Sequence, residues 1–405
     1  MGEPILIIGG GIGGLAAALA LVRSGQPDNG QDGHTGASSV QVKVFERAPE
    51  LNEVGAGITL WSNATLVLDK LGVLDRLREL GHQPDHGIIG THRGRVLSRL
   101  DYADLVGRTG MPRLLAMHRA DLQRVLYEAL PDGVVTLGAE CTEIGQDEER
   151  KLVTARFSNG EEIRGRLLVG ADGIRSVVRA RLWGDADPRY AGYTCWRGVT
   201  AEPPGWNGTS GEIWGRGQRF GIVPIGGQRL YWFATANATR GTEDDPQTRQ
   251  ARLLERFADW AFGVPDVIAA TPAAAIIHND IVDRPPGQQW TRGRVTLLGD
   301  AAHATTPNLG QGAAMAIEDG IVLARALTAD DDATRALRIY ESARMTRTTR
   351  ITRVSWSLGR MAQWENGFAR WLRDHMFAAT PKSISLKQIG QIAMYDAWKA
   401  PLPRL

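Results

Sequence analysis

Residues Pro4 to Gly25 read PILIIGGGIGGLAAALALVRSG, and the fold is decided there. Ile5 to Ile8 form a continuous apolar run, the composition of a parallel strand buried on both faces. The run meets a glycine cluster, Gly9 to Gly14, and then a helical stretch that Gly25 stops. Gly9, Gly11 and Gly14 satisfy G-x-G-x-x-G between a strand and a helix, the context a dinucleotide site requires. The first glycine makes the turn, the second lets the backbone approach a pyrophosphate, and the third lets helix and strand pack closely. This predicts an α/β fold.

Working outward, the next strand is Val40 to Phe45, and Glu46 at its end is the natural acceptor for ribose hydroxyls. It arrives late because Gln26 to Ser39, rich in Gly, Asp, Asn and Ser, makes a solvated loop. Glu53 to Thr59 is a second glycine-bearing turn, and small residues such as Gly57 and Thr59 would let backbone approach a flat ring. A helix is expected from Asn63 to Leu80. Arg119 opens an amphipathic helix, where it can bind a phosphate or pair with a carboxylate. Val134 to Ile144, Val153 to Phe157 and Ile163 to Val169 have strand composition. The last runs into Gly170-Ala171-Asp172-Gly173-Ile174-Arg175, a second place for a polar nucleotide group.

From about residue 180 to 281 the pattern changes to alternating, aromatic-rich segments, the signature of one antiparallel sheet. The chain then returns through Val295 to Leu298 into LLGDAAHATTPNLGQGAAMAIEDGIVL, residues 297–323. A short strand turns at Gly299-Asp300, crosses a loop with Pro307, Gly310 and Gly312, and enters an Ala-rich helix. The unpaired N–H groups at such a helix start, with the positive end of its dipole, suit an anionic or electron-rich group. Ala333 to Met376 is a long helical segment carrying Arg344, Arg347, Arg350, Arg353 and Arg360, and Ile384 to Trp398 is one more packed helix.

A chain of 405 residues can bury a large core, here as two domains sharing one interface. A net charge of +2 offers neither nucleic acid nor membrane an attraction, and Asp330-Asp331-Asp332 beside the arginine helix favours internal ion pairing. No apolar run approaches the roughly 20 residues of a membrane span. Two cysteines without metal-ligand spacing suggest a reducing compartment and no metal site. We expect a cytoplasmic protein, a monomer or homodimer.

Three motifs in this order, GGGIGG with Glu46-Arg47, GADGIRSVVR, and LLGDAAHATTPNLGQGAAMAIEDG, resemble the single-component FAD-dependent aromatic hydroxylases. The resemblance covers nearly the whole chain. TPNLGQG and GYTCWRG look closest to the salicylate, urate and zeaxanthin-epoxidase branch. It implies a glutathione-reductase-like FAD-binding domain (residues 1–180 and 282–332), an inserted antiparallel β-sheet domain for substrate (181–281) and a C-terminal helical region (333–405).

Carried over by residue, the resemblance places FAD pyrophosphate at Gly9, Gly11, Ile12, Gly13 and Gly14, and adenosine ribose on Glu46. Arg47 would flank the adenine, Cys141 would lie on the strand offering it backbone, and Arg119 would lie along the cofactor. Gly57 and Thr59 would approach the ring, and Asp300 would bond the ribityl chain. Pro307, Gly310, Gln311, Gly312, Ala313 and Ala314 would hold the flavin pyrimidine edge, where free N–H groups act as an oxyanion hole does. Asp172, with Gly173 and Arg175, matches the motif linked to both FAD and the reduced nicotinamide.

The implied activity is a monooxygenase in which NADPH or NADH serves as transient reductant. One oxygen atom of O2 passes through a C4a-hydroperoxyflavin into a small aromatic or heteroaromatic substrate. An epoxidase or natural-product oxygenase of a larger apolar substrate is the alternative, suggested by Trp196, Trp214 and Trp232. A flavin-binding interaction protein would need an exposed arginine face. For substrate the sheet offers Arg219 and Arg229, and the loop offers Pro307 and Asn308. Such arginines can hold a phenolate, carboxylate or enol without acting as a base, or can be sheet-edge ion pairs. His303 is expected to structure the Gly299-Asp300 turn.

Overall fold

Strand Ile5–Ile8, buried at all four positions, lies inside a six-stranded sheet. The order is Thr291–Arg292, Val295–Leu297, Leu167–Gly170, Ile5–Ile8, Val42–Phe45, Val135–Thr136. All neighbours pair in parallel except the first two. Ile5 stands opposite both Leu167 and Val42. A parallel sheet binds ligands beyond the carboxyl ends of its strands. Here those ends lead into Gly9, Glu46, Asp172 and Gly299, one from each inner strand. The computed structural model describes residues 3–24, 40–51, 56–107, 110–184, 186–203, 206 and 208–404. The loop expected from Gln26 to Ser39 and the residues Glu53 to Gly55 lie outside them.

Helix Ile12–Ser24 is buried along most of its length and packs on helix Gly312–Ala329. A Cβ on Gly320 would come 2.8 Å from the Ala17 Cα, so the two backbones nearly touch. The first and third sequence motifs are thereby locked together.

The aromatic-rich segments form the expected second sheet, but it is larger than residues 181–281. Its order is Ile277–Asp283, Arg189–Ala201, Arg229–Asn237, Gln218–Pro224, Gly211–Trp214, His86–Thr91, Val96–Asp101. The last two strands come from before residue 181, and Ile88 to Thr91 run parallel to Gly211 to Trp214. Period-two alternation divides the sheet into two faces. Trp196, Ile213, Phe220, Ile222, Leu230, Trp232 and Ala234 form a dry core with Leu253, Phe257, Val267 and Ile268. The residues between them, Tyr193, Cys195, Arg197, Glu212, Arg219, Tyr231 and Phe233, take the other face.

Glycines subdivide several expected elements. The helix read from Asn63 to Leu80 is two, Ser62–Lys70 and Leu74–Leu80, broken where Gly72 takes φ +60°. Val134 to Ile144 is likewise two strands, Val135–Thr136 and Cys141–Asp147, and Ile163 to Val169 splits between two sheets at Arg166. The arginine helix ends at Ala362, and a new helix, Gly367–Ala379, starts where the Asn366 side chain accepts the Ala369 N–H at 3.0 Å. The tail helix is Lys382–Ala393, buried only at Ala393.

Candidate active site

At the carboxyl end of the first strand Gly9 has φ +112°, and a Cβ there would sit 2.4 Å from the Ala171 oxygen. A Cβ on Gly14 would lie 2.0 Å from the Gly9 oxygen. Side chains are excluded at both positions, while Gly11 faces open space. With Ile12 and Gly13 it begins a helix whose first N–H groups have no partner within it. Glu46 accepts the Gly10 N–H at 2.7 Å and the Ala48 N–H at 2.9 Å. A carboxylate has about four lone-pair sites, so two remain for hydroxyl donors. Arg47 is exposed beside it. The turn before Cys141 wraps this residue, with Ala139 N–H donating to the Glu46 carbonyl at 2.8 Å. Cys141 is buried, and burial pushes its thiol up to about 11, so it stays neutral.

Asp172 stands at the end of the neighbouring strand. One oxygen accepts the Val178 N–H at 3.1 Å, while the other is buried without a partner. Burial raises its pKa, with Ser176 and backbone N–H groups opposing. Arg175 is exposed, and Arg179 turns back to the Ala301 carbonyl at 3.2 Å.

Across the groove, Gly299 (φ +61°) turns the chain into the short helix Asp300–His303. The exposed Asp300 carboxylate would lie 4.0 Å from a Cβ on Gly312. It therefore faces the start of helix Gly312–Ala329, where the N–H groups of Gly312, Ala313 and Ala314 are free of helical partners. Pro307–Leu309 is a single 3-10 turn, and Gly310 follows it in the left-handed region. Buried Gln311 accepts from Asn63 at 2.9 Å through its oxygen, and its amide nitrogen has no partner among the described residues.

A buried ion network fixes this loop from behind. Asp319 accepts the Gly299 N–H at 3.0 Å and stands 2.6 Å from His303 Nε2. Arg344 donates to Asp319 at 2.7 Å and to Glu318 at 2.6 Å, and Arg347 forks onto Glu318 at 2.7 and 2.8 Å. Burial pushes Asp319 up, but His303 and Arg344 outweigh it and hold the carboxyl at about 2. His303 thus shapes the turn, as expected. Arg344 and Arg347 face inward, whereas Arg353 and Arg360 are exposed.

The polar face of the second sheet closes the groove. A Cβ on Gly57 would meet Tyr231 at 2.3 Å, so strand Gly57–Leu60, with Thr59, lies directly against this face. Exposed Arg119 opens the next helix and donates its N–H to Ala56 at 3.1 Å. Arg219, 2% exposed, donates to Glu212 at 3.0 Å and to Gln363 at 3.2 Å, with its guanidinium 5.2 Å from the Tyr193 ring. The Tyr193 hydroxyl donates to Asn308 at 3.1 Å, so Arg219 and the loop residue meet through that ring. Arg229 does not join them. It sits six residues along its strand from Thr235, the partner of Arg219, and pairs with Asp121 at 3.4 Å.

One residue on this face escaped the sequence reading. Arg197 shares the face of Tyr193 and Cys195, opposite Phe233. The Cys195 sulfur and the Tyr231 oxygen raise its pKa against the cost of burial. No carboxylate among the described residues pairs with it. The available signal was alternation: in Tyr193 to Arg197 the tyrosine, cysteine and arginine share one side and Trp196 the other.

The donor set therefore matches a flavin dinucleotide. A glycine cradle admits a phosphate, Glu46 retains acceptor capacity for a ribose, and Asp300 and unpaired N–H groups flank a helix start. This is a flavoprotein fold with the polar face of a second sheet laid across the cofactor groove. Residues 3–355 match the family described as FAD binding domain. The chain belongs to that family and is an FAD-dependent monooxygenase. It is 42% identical over 376 residues to the aurachin C monooxygenase/isomerase of Stigmatella aurantiaca, covering 93% of this chain and 94% of that protein. Against the 2-heptyl-3-hydroxy-4(1H)-quinolone synthase of Pseudomonas aeruginosa identity is 36%, over 94% of each chain. Klebsiella pneumoniae HpxO, solved with FAD and uric acid, superposes with a TM-score of 0.87 at 28% identity, over 96% of this chain and 97% of that one.

Proposed function

We propose that this monooxygenase inserts oxygen into an electron-rich heteroaromatic ring carrying an apolar side chain, of the 4-quinolone type. The carrying observation is Arg197, a partly buried cation on the cleft-facing side of the sheet whose described neighbours are neutral. Such a site selects a substrate whose ring oxygen can ionise or carry negative charge. The Pseudomonas aeruginosa relative supports the same reading, since it is named for a hydroxylated alkylquinolone.

Bound FAD, reduced by NADPH or NADH, supplies the activation of O2. The protein's own residues do the rest. Arg197, a permanent cation, would hold the ring oxygen and favour its ionised form, the ring proton leaving to solvent water, so the ring becomes electron-rich without a protein base. Burial raises the Tyr193 hydroxyl pKa, with Arg219 opposing, so it stays protonated and positions Asn308 over the groove. Phe233, Val199 and Val223 share that face as apolar side chains and would line the substrate's ring. N–H groups from Gly312 to Ala314, with Pro307 and Gly310 shaping their approach, would favour negative charge at the edge of the cofactor. Arg219 is a positioning residue, and Arg229 braces the helix that Arg119 opens. Asp172 would serve cofactor and nicotinamide from the strand end. The protein works in the cytoplasm, where its two buried free thiols persist.

The test is NADPH and NADH consumption by the FAD-loaded protein in air, with peroxide followed in parallel. A panel of 2-alkyl-4-quinolones, hydroxybenzoates, purines and carotenoids would separate the substrate classes. Strong stimulation by an alkylquinolone with little peroxide is expected. Coupled turnover confined to hydroxybenzoates would sink the assignment.

A further inference from the structure

Helix Gly367–Ala379 is amphipathic the wrong way round for a soluble protein. Its inward side carries Arg373, 1% exposed, which donates to the Ala362 carbonyl at 2.9 Å and lies 4.8 Å over the Trp214 ring. Phe377 meets that same ring edge-on at 4.8 Å. The outward side carries Phe368 (72% exposed), Trp371 (54%), Leu372 (42%) and Met376 (57%). Spacings of three and four place these on one helical stripe, together with His375. The Phe368 and Trp371 rings stack on one another at 5.9 Å. Soluble proteins seldom leave a contiguous row of large apolar side chains in water unless something covers it.

Charge argues for what that something is. Residues 350–393 hold seven basic and two acidic side chains, a net +5 in a chain whose total is +2. Arg353, Arg360, Lys382 and Lys387 among them are exposed. An exposed apolar, aromatic stripe within a net-basic segment of chain is the pattern of a helix lying in the headgroup layer of an anionic bilayer. Among the described residues no helix is long and apolar enough to cross a membrane.

We propose that helix Gly367–Ala379 seats the protein on an anionic lipid surface. The helix rests on Trp214, which pairs with Arg219 at the end of the substrate face, and Gln363 at its approach binds Arg219. A bilayer against the stripe therefore lies beside the mouth of the cleft, where a substrate with an alkyl tail can pass out of the lipid. This last point rests on the substrate reading above; the docking itself rests on the helix.

Vesicle flotation of the FAD-loaded full chain tests it, because flotation reads binding and is indifferent to turnover. Vesicles of phosphatidylglycerol with phosphatidylethanolamine should carry the protein upward, and salt or pure phosphatidylcholine should release it. A triple variant, Phe368→Ser with Trp371→Ser and Met376→Ser, should lower the bound fraction about tenfold. Its flavin content and melting temperature should match the parent, since all three side chains are exposed. Two results would overturn the proposal. One is a parent protein that stays at the bottom of the gradient with both lipids. The other is a parent dimer in sedimentation that the triple variant converts to monomer, which would make the stripe an interface between copies. If docking fails while alkylquinolone turnover holds, only this inference falls.

Discussion

The two faces of the seven-stranded sheet are written by the same strands in alternate residues, yet they are opposite materials. One face, with Phe220, Ile222, Leu230 and Trp232, is a dry core sealed by two helices. On the other, Tyr193, Arg197, Arg219 and Tyr231 hold buried or partly buried polar side chains toward the cofactor groove. The core face gains its stability from area removed from water. The polar face stays rigid because its groups bond each other, and where they do not, it has capacity for a ligand. Stability and function are thus separable within a single strand.

The widest expected gap comes from truncating the core face. Trp232→Ala removes a fully buried indole and its bond to Thr271, and should cost about 3–5 kcal/mol in urea unfolding. A loss under about 1 kcal/mol would erase the distinction between the faces. On the polar face, Arg197→Gln should leave unfolding within about 1 kcal/mol of the parent. Its kcat/KM for an ionisable substrate should drop roughly 10- to 100-fold, the worth of one bond to a charged group. If the drop is equal for a substrate that cannot ionise, Arg197 is structural.

A buried polar cluster outside the sheet gives a third reference. Asp319 is held at about 2 in the native protein, below the ordinary carboxyl value near 3.9. A depressed native pKa stabilises above the unfolded pKa and is lost as pH falls through the native one. The window is therefore from about pH 4 down to about pH 2, with about 2 kcal/mol at stake. Acid unfolding of Asp319→Asn should lack that part of the slope; an unchanged slope would assign it elsewhere. The smallest effect is Tyr193→Phe, which removes the bond to Asn308 and should cost about 0.5–1.5 kcal/mol. Peroxide release per NAD(P)H should rise with it, and tight coupling in the variant would remove the loop from the positioning role.

The sequence was most readable where backbone makes the site. Gly9 and Gly14 admit no side chain, and the adjoining strand and helix patterns permit one arrangement, so the cofactor groove could be drawn in advance. It was least readable where a site is made by every second residue of separate strands. Arg219 and Arg229 look equivalent along the chain, and only register shows that one reaches Tyr193 and Asn308 while the other braces Asp121. Arg197 was hidden inside a strand whose neighbours announce only packing. Strands His86–Thr91 and Val96–Asp101 pair with each other as a local hairpin, and their place in the sheet was missed because the strand that holds them there, Gly211–Trp214, lies more than a hundred residues away.

The network behind the flavin loop has a consequence for the order in which the protein is made. Gly299 to Ala329 contains every backbone group of that loop, yet its carboxylates at Glu318 and Asp319 find their guanidinium partners only at Arg344 and Arg347. Chains leave the ribosome amino end first. Until the arginine helix emerges, Glu318, in the helix that carries the pyrimidine-edge donors, has no counter-ion, and Asp319 has only His303. Productive capture of the cofactor is thereby deferred until helix Ala333–Ala362 has been synthesised and has docked.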